Sequence, residues 1–330
     1  MKEELFVSGR AIPNIDPYLN IWHWQIPVYL FLGGLAAGIL FFASLYTLLN
    51  KEKEMPTAVK WAAFLVPPAL IIGLFCLFLD LKHKLFFWQL YTVIRLESPM
   101  SWGAWTLMVI TPLSMLWAFM YLRDLIELVK NAKYAPKGLF LWVEGLLNKY
   151  PWTDTFAAWL RNNRRSIAWA NIILAIILGI YTGILLSAFN ARPLWNTSLL
   201  GPLFLVSGLS TAAATIMWMA KDHIERSTMS KIDLMLIGIE LFFIIHLFMG
   251  FLASSAVQIE AANLFLGGQF TVSFWVFVVL LGLLLPAALE VLELLGYKIP
   301  VAVPALLILF GGLMFRFIMV EAGQITRYLY

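Results

Sequence analysis

Apolar residues run through this chain in long blocks, parted by short polar stretches. A helix that crosses the hydrocarbon core of a bilayer needs roughly twenty consecutive, mostly apolar residues. Eight blocks meet that length: about 23–49, 57–81, 101–122, 166–189, 198–220, 232–256, 270–295 and 301–323. The pattern predicts an all-α polytopic membrane protein with eight transmembrane helices. Several blocks contain proline, at Pro67–Pro68, Pro112, Pro202, Pro286 and Pro304. Within lipid, neighbouring helices re-satisfy the freed backbone groups, so these prolines predict kinks rather than breaks. The aromatic stretch 84–99 is interrupted by Arg95, Glu97 and Pro99 and reads as an interfacial loop or half-helix.

The blocks divide the chain into an N-terminal segment (1–22), spans 1–3 (23–122), a polar connection (123–165), spans 4–8 (166–323) and a tail (324–330). Within the connection, 138–147 (GLFLWVEGLL), followed by Trp152 and Trp159, reads as amphipathic helix lying on the membrane surface. The connection is also where a boundary between helix bundles is expected. No internal repeat is evident.

Charge sets the orientation. Basic residues in loops are retained on the cytoplasmic side. The loops after spans 1, 3, 5 and 7 hold Lys51, Lys53 and Lys60; Arg123, Lys130, Lys133, Lys137, Lys149, Arg161, Arg164 and Arg165; Lys221, Arg226 and Lys231; and Lys298, fifteen in all. The opposite side holds seven: Lys2, Arg10, Lys82, Lys84, Arg95, Arg192 and Arg327. Both termini are therefore expected outside the cytoplasm, in the periplasm of a bacterial or archaeal cell whose cytoplasmic (inner) membrane the protein spans. The outer half is then where polar residues gather: His23, Asp80, His83, His246, Arg192, Asn196 and Glu321.

Composition narrows the chemistry. The chain is 62% hydrophobic and 13% charged, against roughly a quarter charged in a soluble domain. Too little charge remains to cover a water-facing surface, so membrane lipid is its solvent. The basic residues are dispersed through loops and form no nucleic-acid-binding surface. The one cysteine, Cys76, lies inside an apolar block. A single cysteine excludes an internal disulfide, a zinc site or an iron–sulfur cluster held by this chain. The polar residues 1–20 are not a cleavable signal peptide.

Five motifs stand in order along the spans: WHWQIPVYLFLGGLAAG (22–38), SPMSWGAW (98–105), YTGILLSAF leading into ARPLWN (181–196), PLFLVSGLSTAAA (202–214) and RFIMVEAGQ (316–324). Together they resemble the NrfD/polysulfide-reductase membrane-subunit family, over about residues 20–324. The resemblance implies two four-helix bundles and a menaquinone or ubiquinone site near the outer face. It implies partners too: a periplasmic 4Fe–4S ferredoxin-like subunit, and a catalytic subunit carrying molybdopterin or built as a multihaem cytochrome. The function implied is exchange of electrons between quinone and the docked iron–sulfur subunit, with this chain as the quinone-reactive part of the enzyme, inactive alone. The outer loops 82–99, 190–197 and 257–269, together with the tail 324–330, would form the docking platform, with Phe86, Phe87, Trp88, Leu264 and Phe265 exposed for the contact. The small residues of GGLAAG and SGLSTAAA have a reading of their own, as seams where helices approach closely.

Quinol oxidation releases two electrons and two protons. Its site needs hydrogen bonds to two ring oxygens and a wet route for protons. Tyr181, which opens the YTG motif, matches the position of a quinone-contacting tyrosine in the family. His23, at the mouth of span 1 between Trp22 and Trp24, is a second candidate. The family uses polar residues slightly further along this helix, where this chain has Ile26 and Tyr29; either Tyr29 replaces them as the donor or His23 serves alone. Asp80 and His83 close span 2 on the same side and suit proton transfer. Their alternative is a solvated helix end with Lys82 and Lys84 as counter-charges. Arg316 and Glu321 lie in span 8, where an ionised group costs roughly 2.5–3.5 kcal/mol and must find a partner. Glu240 and His246 on span 6 are candidates, with Glu290 and Glu293 nearer the cytoplasmic end. Such groups form either a structural pair or a proton path.

Other readings stay open on the residues alone. A b-type cytochrome anchor needs two histidines at matching depth. A transporter-like subunit would move ions or protons through the charged second half. A passive anchor would have no quinone site. Quinone type, direction of flow and the terminal donor or acceptor are not encoded in these patterns.

Overall fold

The computed structural model describes residues 21–131 and 137–328. The N-terminal segment up to residue 20, Lys133 and the last two residues of the tail lie outside the described residues. Eight helices are long and apolar enough to cross a membrane: α1 (Gln25–Leu48), α2 (Thr57–Asp80), α3 (Pro99–Met120), α4 (Arg164–Ser187), α5 (Leu200–Met219), α6 (His223–Leu252), α7 (Ser273–Leu294) and α8 (Ala302–Ile325). Among the described residues there is no strand. Each expected span has its helix.

The prolines do not end the helices, and in two of them the backbone changes register to take the proline in. Pro67 and Pro68 have no N–H to donate to the preceding turn. The backbone absorbs this by starting α2 as a wide π-turn (Thr57–Trp61) and a tight 3-10 turn (Ala62–Leu65) before settling to α geometry at Val66. In α7 the half before Pro286 is π-helical (Ser273–Leu284) and the half containing it is α-helical. A π register shifts which carbonyl each N–H must meet, so the missing donor leaves no simple break.

The expected sixth span, 232–256, is displaced. The helix begins at His223, and its first turns carry Glu225, Arg226, Lys231 and Asp233. Apolar patterning missed Glu225, Arg226 and Lys231 because they are charged, yet Glu225, like Asp233 inside the expected span, is fully buried. Glu225 accepts a hydrogen bond from the Ala58 amide at 2.9 Å, tying the start of α6 to the start of α2.

Helix α1 packs against α2, α4, α5 and α8. Its contact with α5 is the seam expected from the small-residue motifs. A Cβ on Gly208 would lie 2.8 Å from the Gly34 carbonyl oxygen, and one on Gly38 would lie 2.6 Å from the Gly208 carbonyl oxygen and from the Ala212 Cβ. Backbones this close gain dispersion contact where lipid offers no hydrophobic drive. Helices α7 and α8 meet the same way at Gly282 and Gly311. Helices α3 and α4, on either side of the long connection, pack against each other. The connection therefore does not separate two packing units.

The connection itself folds into three helices, Leu122–Asn131, Lys137–Lys149 and Trp152–Asn162. Ion pairs tie it to itself and to the bundle: Lys130–Glu144 and Arg123–Asp154 at 2.5 Å, Lys60–Asp124 at 2.6 Å and Arg164–Glu52 at 2.7 Å. Leu139, Trp142, Trp152 and Trp159 remain exposed, as an amphipathic surface element requires. At the opposite end the first and last described segments meet. The Gln324 Oε1 accepts from the Ile21 and Trp22 amides at 3.0 and 2.9 Å, while its Nε2 donates to the Trp22 carbonyl at 2.9 Å.

Candidate functional site

Helices α1 to α4 enclose a cavity of about 460 Å³ at the end of the bundle where Trp22 and Asp80 lie. Its size falls in the range of small-molecule sites. The walls are mostly apolar: Ile26 from α1, Ile71, Leu74 and Phe78 from α2, and Leu107 from α3 are among them. The polar groups are few: the hydroxyls of Tyr29, Tyr91 and Tyr181 and the Asp80 carboxyl.

Tyr29 and Tyr181 are both buried, and their phenols lie within interaction range of each other. The Tyr29 hydroxyl is shielded from solvent and makes no hydrogen bond of good geometry, with the Tyr181 hydroxyl as its neighbour in the protein. A buried hydroxyl without a partner is costly, about 1–3 kcal/mol, and uncommon. Here it borders an apolar cavity, so a ligand oxygen there would satisfy it. Two glycines make room for these rings. A Cβ on Gly103 would fall 1.9 Å from the Tyr181 Cζ, and one on Gly73 would sit 3.4 Å from the Tyr29 ring. Tyr91 belongs to the short helix Gln89–Thr92 over the cavity. Burial pushes its phenol up from the ordinary value, so it stays a neutral hydrogen-bond donor at physiological pH.

The sequence candidates divide. Tyr181, Tyr29 and Asp80 meet in this cavity, although they come from three helices. His23 is exposed at the start of α1 and stands within electrostatic range of Asp80. His83 is also exposed and lines a second, more polar recess of about 560 Å³ with Lys82, Gln89 and Arg95. The two spaces share Leu81, Phe87, Leu90 and Met100 as a common wall.

The remaining candidates lie elsewhere. Arg316 is buried against α5, donating to the Ser207 Oγ at 2.5 Å, the Gly312 carbonyl at 3.0 Å and the Phe204 carbonyl at 3.2 Å. Its guanidinium also lies over the Phe204 ring at 5.0 Å. Glu240 is buried within electrostatic reach of it, beside Ser207, Ser210 and Thr211. Asp233 and Glu290 form a second buried carboxyl pair nearby; the sequence reading missed Asp233 by starting span 6 just before it without weighing it. Glu321 and His246 do not join this array. Glu321 is exposed on α8, and His246 faces away from the helix core, bonded to the Phe242 carbonyl of its own helix at 2.8 Å.

The four histidines, His23, His83, His223 and His246, are all exposed. No two of them face each other inside the bundle, so the residues do not fit a haem held between helices. Among the described residues no group of side chains suits a metal ion.

The motifs converge beside the cavity in a way their spacing does not reveal. Trp195, of ARPLWN, donates its indole N–H to the Met319 carbonyl at 2.8 Å. Its ring occupies the space over Gly323, where a Cβ would fall 1.8 Å from Nε1. Arg192 donates to the Thr326 carbonyl at 2.7 Å. Trp22, which lines the cavity, packs on Trp195 at 5.3 Å and on Phe189 at 5.0 Å. So ARPLWN and EAGQ act as a clamp that sets where Trp22 stands. The apolar residues expected to be exposed on this face divide as well. Phe86, Phe87 and Trp88 are exposed, but Phe265 is buried among Phe248, Phe270 and Phe274, because the turn after helix Ala256–Asn263 folds it inward.

Comparison with known proteins agrees with the motif resemblance. The family described as "Polysulphide reductase, NrfD" matches residues 14–327. The C subunit of polysulfide reductase from Wolinella succinogenes is 30% identical over 327 residues, covering 94% of this protein and 97% of that one. Protein NrfD of Escherichia coli is 30% identical over 319 residues, covering 93% and 96%. The NrfD homolog of Haemophilus influenzae is 28% identical over 328 residues, covering 96% and 98%.

Proposed function

From a protein that belongs to the polysulphide reductase NrfD family, and is thus a multi-pass membrane protein, we propose a quinone-reactive subunit of a respiratory oxidoreductase complex. The observation that carries this reading is the pair of buried phenols, Tyr29 and Tyr181, facing an apolar cavity that Asp80 also lines. A menaquinone or ubiquinone ring is flat and apolar with an oxygen at each end. It fits a site whose walls are aliphatic and aromatic and whose few donors converge from separate helices.

In this reading Tyr29 and Tyr181 donate hydrogen bonds to one ring oxygen. Asp80 takes a proton from the other hydroxyl of a quinol, or returns one to a quinone. His23, within range of Asp80, relays it to the water-filled recess that His83 lines. The two electrons leave to, or arrive from, another subunit, because one cysteine and four surface histidines give this protein no cluster or haem ligands of its own. The partner at the cavity end is a 4Fe–4S ferredoxin-like subunit, with a molybdopterin or multihaem catalytic subunit beyond it. The exposed Phe86, Phe87 and Trp88 suit that contact.

The packing order supports two four-helix bundles, α1–α4 around the cavity and α5–α8 around Arg316, joined by α1, α4, α5 and α8. The excess of basic loops at the far end supports periplasmic termini in a bacterial or archaeal inner membrane. The buried Glu240 and Arg316, with Asp233 and Glu290, favour a second reading in which the α5–α8 half also passes protons.

The test is Tyr29→Phe and Tyr181→Phe in the intact complex, measured by quinol-dependent reduction of a dye. Losing one neutral hydrogen bond costs about 0.5–1.5 kcal/mol, so each variant should lose a few-fold to about tenfold in kcat/KM at normal assembly. Unchanged kinetics in both would remove this cavity as the site.

A further inference from the structure

A third concavity, of about 400 Å³, lies between α3 and α4. It is lined by Leu96, Trp102 and, along α4, by Ile176, Ile177, Ile180 and Ile184. Ile177 and Ile184 are 41% and 42% exposed on the flank that meets lipid. This groove and the α1–α4 cavity share one residue, Tyr181. On the α3 side the residue facing Tyr181 is Gly103, which has no side chain to add to the partition. The ring of Tyr181 thus stands between an apolar chamber with polar donors and a mostly apolar groove whose lining also includes Glu97 and Pro99.

We propose that the α3–α4 groove binds the isoprenoid tail of the quinone and is its lateral way in from the bilayer, with Tyr181 as the gate. This inference rests on the quinone reading above and adds where the tail lies. Isoprenoid chains offer no hydrogen bonds, so a site for one is recognised by aliphatic walls and by continuity with a headgroup chamber. Ile184 lies about one turn beyond Tyr181 toward the cavity end of α4, while Ile180, Ile177 and Ile176 descend from it toward the middle of the helix, the direction a lipid-soluble tail must take. A competing way in lies on the α2 side, where the cavity-lining Ile71 and Phe75 are 49% and 56% exposed; it is narrowed by the edge-to-face pair Phe78–Phe87 at 6.0 Å. Tyr181 then has two tasks: its hydroxyl meets the ring oxygen, and its ring closes the passage behind it.

The experiment compares a long-tailed naphthoquinone with its one-isoprene counterpart. Binding is read by quenching of tryptophan fluorescence, using the complex in lipid nanodiscs. Filling the groove with Ile177→Trp should lower the ratio of long-tail to short-tail affinity about tenfold, equal to about 1.4 kcal/mol. Ile245→Trp, on the lipid-facing flank of α6, serves as the control. A second measurement covers a variant that fails to fold. With the native Cys76 replaced by Ala, Ile177→Cys should be protected from a membrane-permeant maleimide by the long-tailed quinone and not by the short one. An unchanged ratio together with unprotected labelling overturns the proposal. So does a ratio that falls instead in Ile71→Trp, on the α2 side. Those results leave the quinone site standing, whereas absence of saturable binding for both quinones in the unaltered complex removes the site itself.

Discussion

Gly103 lies so close to Tyr181 that a methyl group there would overlap the phenol ring, its Cβ 1.9 Å from Cζ and 2.3 Å from the hydroxyl oxygen. The glycine of SPMSWGAW and the tyrosine of YTG are thus one feature, contributed by α3 and α4. Gly103→Ala should push the ring from its seat. Overpacking of this kind costs about 1–3 kcal/mol, here divided between stability and ligand geometry. The expected result is an assembled complex with weakened quinone affinity, and Gly103→Ala combined with Tyr181→Phe should be little worse than Gly103→Ala alone. Additive losses in that double-mutant cycle would show that the two residues act independently.

Gln324 holds the start of α1 through three hydrogen bonds to the backbone of Ile21 and Trp22. Gln324→Ala leaves two amides and a carbonyl to find other partners, at about 1–3 kcal/mol for each group that stays buried. Trp22 lines the cavity, so its fluorescence and the quinone affinity should change together. Gln324→Glu keeps the acceptor and should recover part of both. A variant whose melting temperature falls while quinone affinity holds would confine Gln324 to a structural role.

Arg316 and Glu240 are opposite charges buried in the same half of the bundle. Removing one buried partner strands the other, typically at about 3–5 kcal/mol. Arg316→Met should therefore lower the thermal midpoint in detergent more than the double variant Arg316→Met with Glu240→Gln does. If the double variant is the worse of the two, the guanidinium depends on Ser207 and the α5 and α8 carbonyls rather than on Glu240.

The described ends of the protein meet at the cavity end, and the basic connection lies at the other. Reporter fusions after residues 53 and 140 should report the cytoplasm. A fusion within 190–197 should report the opposite compartment. A reversed pattern would place the cavity on the cytoplasmic side and move the docking surface with it.

What the sequence determined by itself follows from short-range physics. Twenty apolar residues in a row must form a helix in lipid, because no other local structure satisfies its backbone there. All eight helices were therefore legible, as were the small-residue motifs as packing seams, though not that they meet each other, and the surface helices of the connection. The start of α6 was not. Glu225 looks like a loop residue in a hydropathy pattern, and only tertiary partners such as the Ala58 amide keep it inside. Family motifs pointed to Tyr181, and departure from them pointed to Tyr29. Their convergence in one cavity, with Asp80 from a third helix, depends on how α1, α2 and α4 rotate about their own axes. Rotation is set by which small residues touch across helices, which a linear pattern does not carry. The same holds for His246 and Glu321: depth along a helix could be counted, but the face could not. Both stayed exposed, His246 bonded to a carbonyl of its own helix, while Arg316 was drawn inward by Ser207 and the backbone carbonyls that accept its hydrogen bonds.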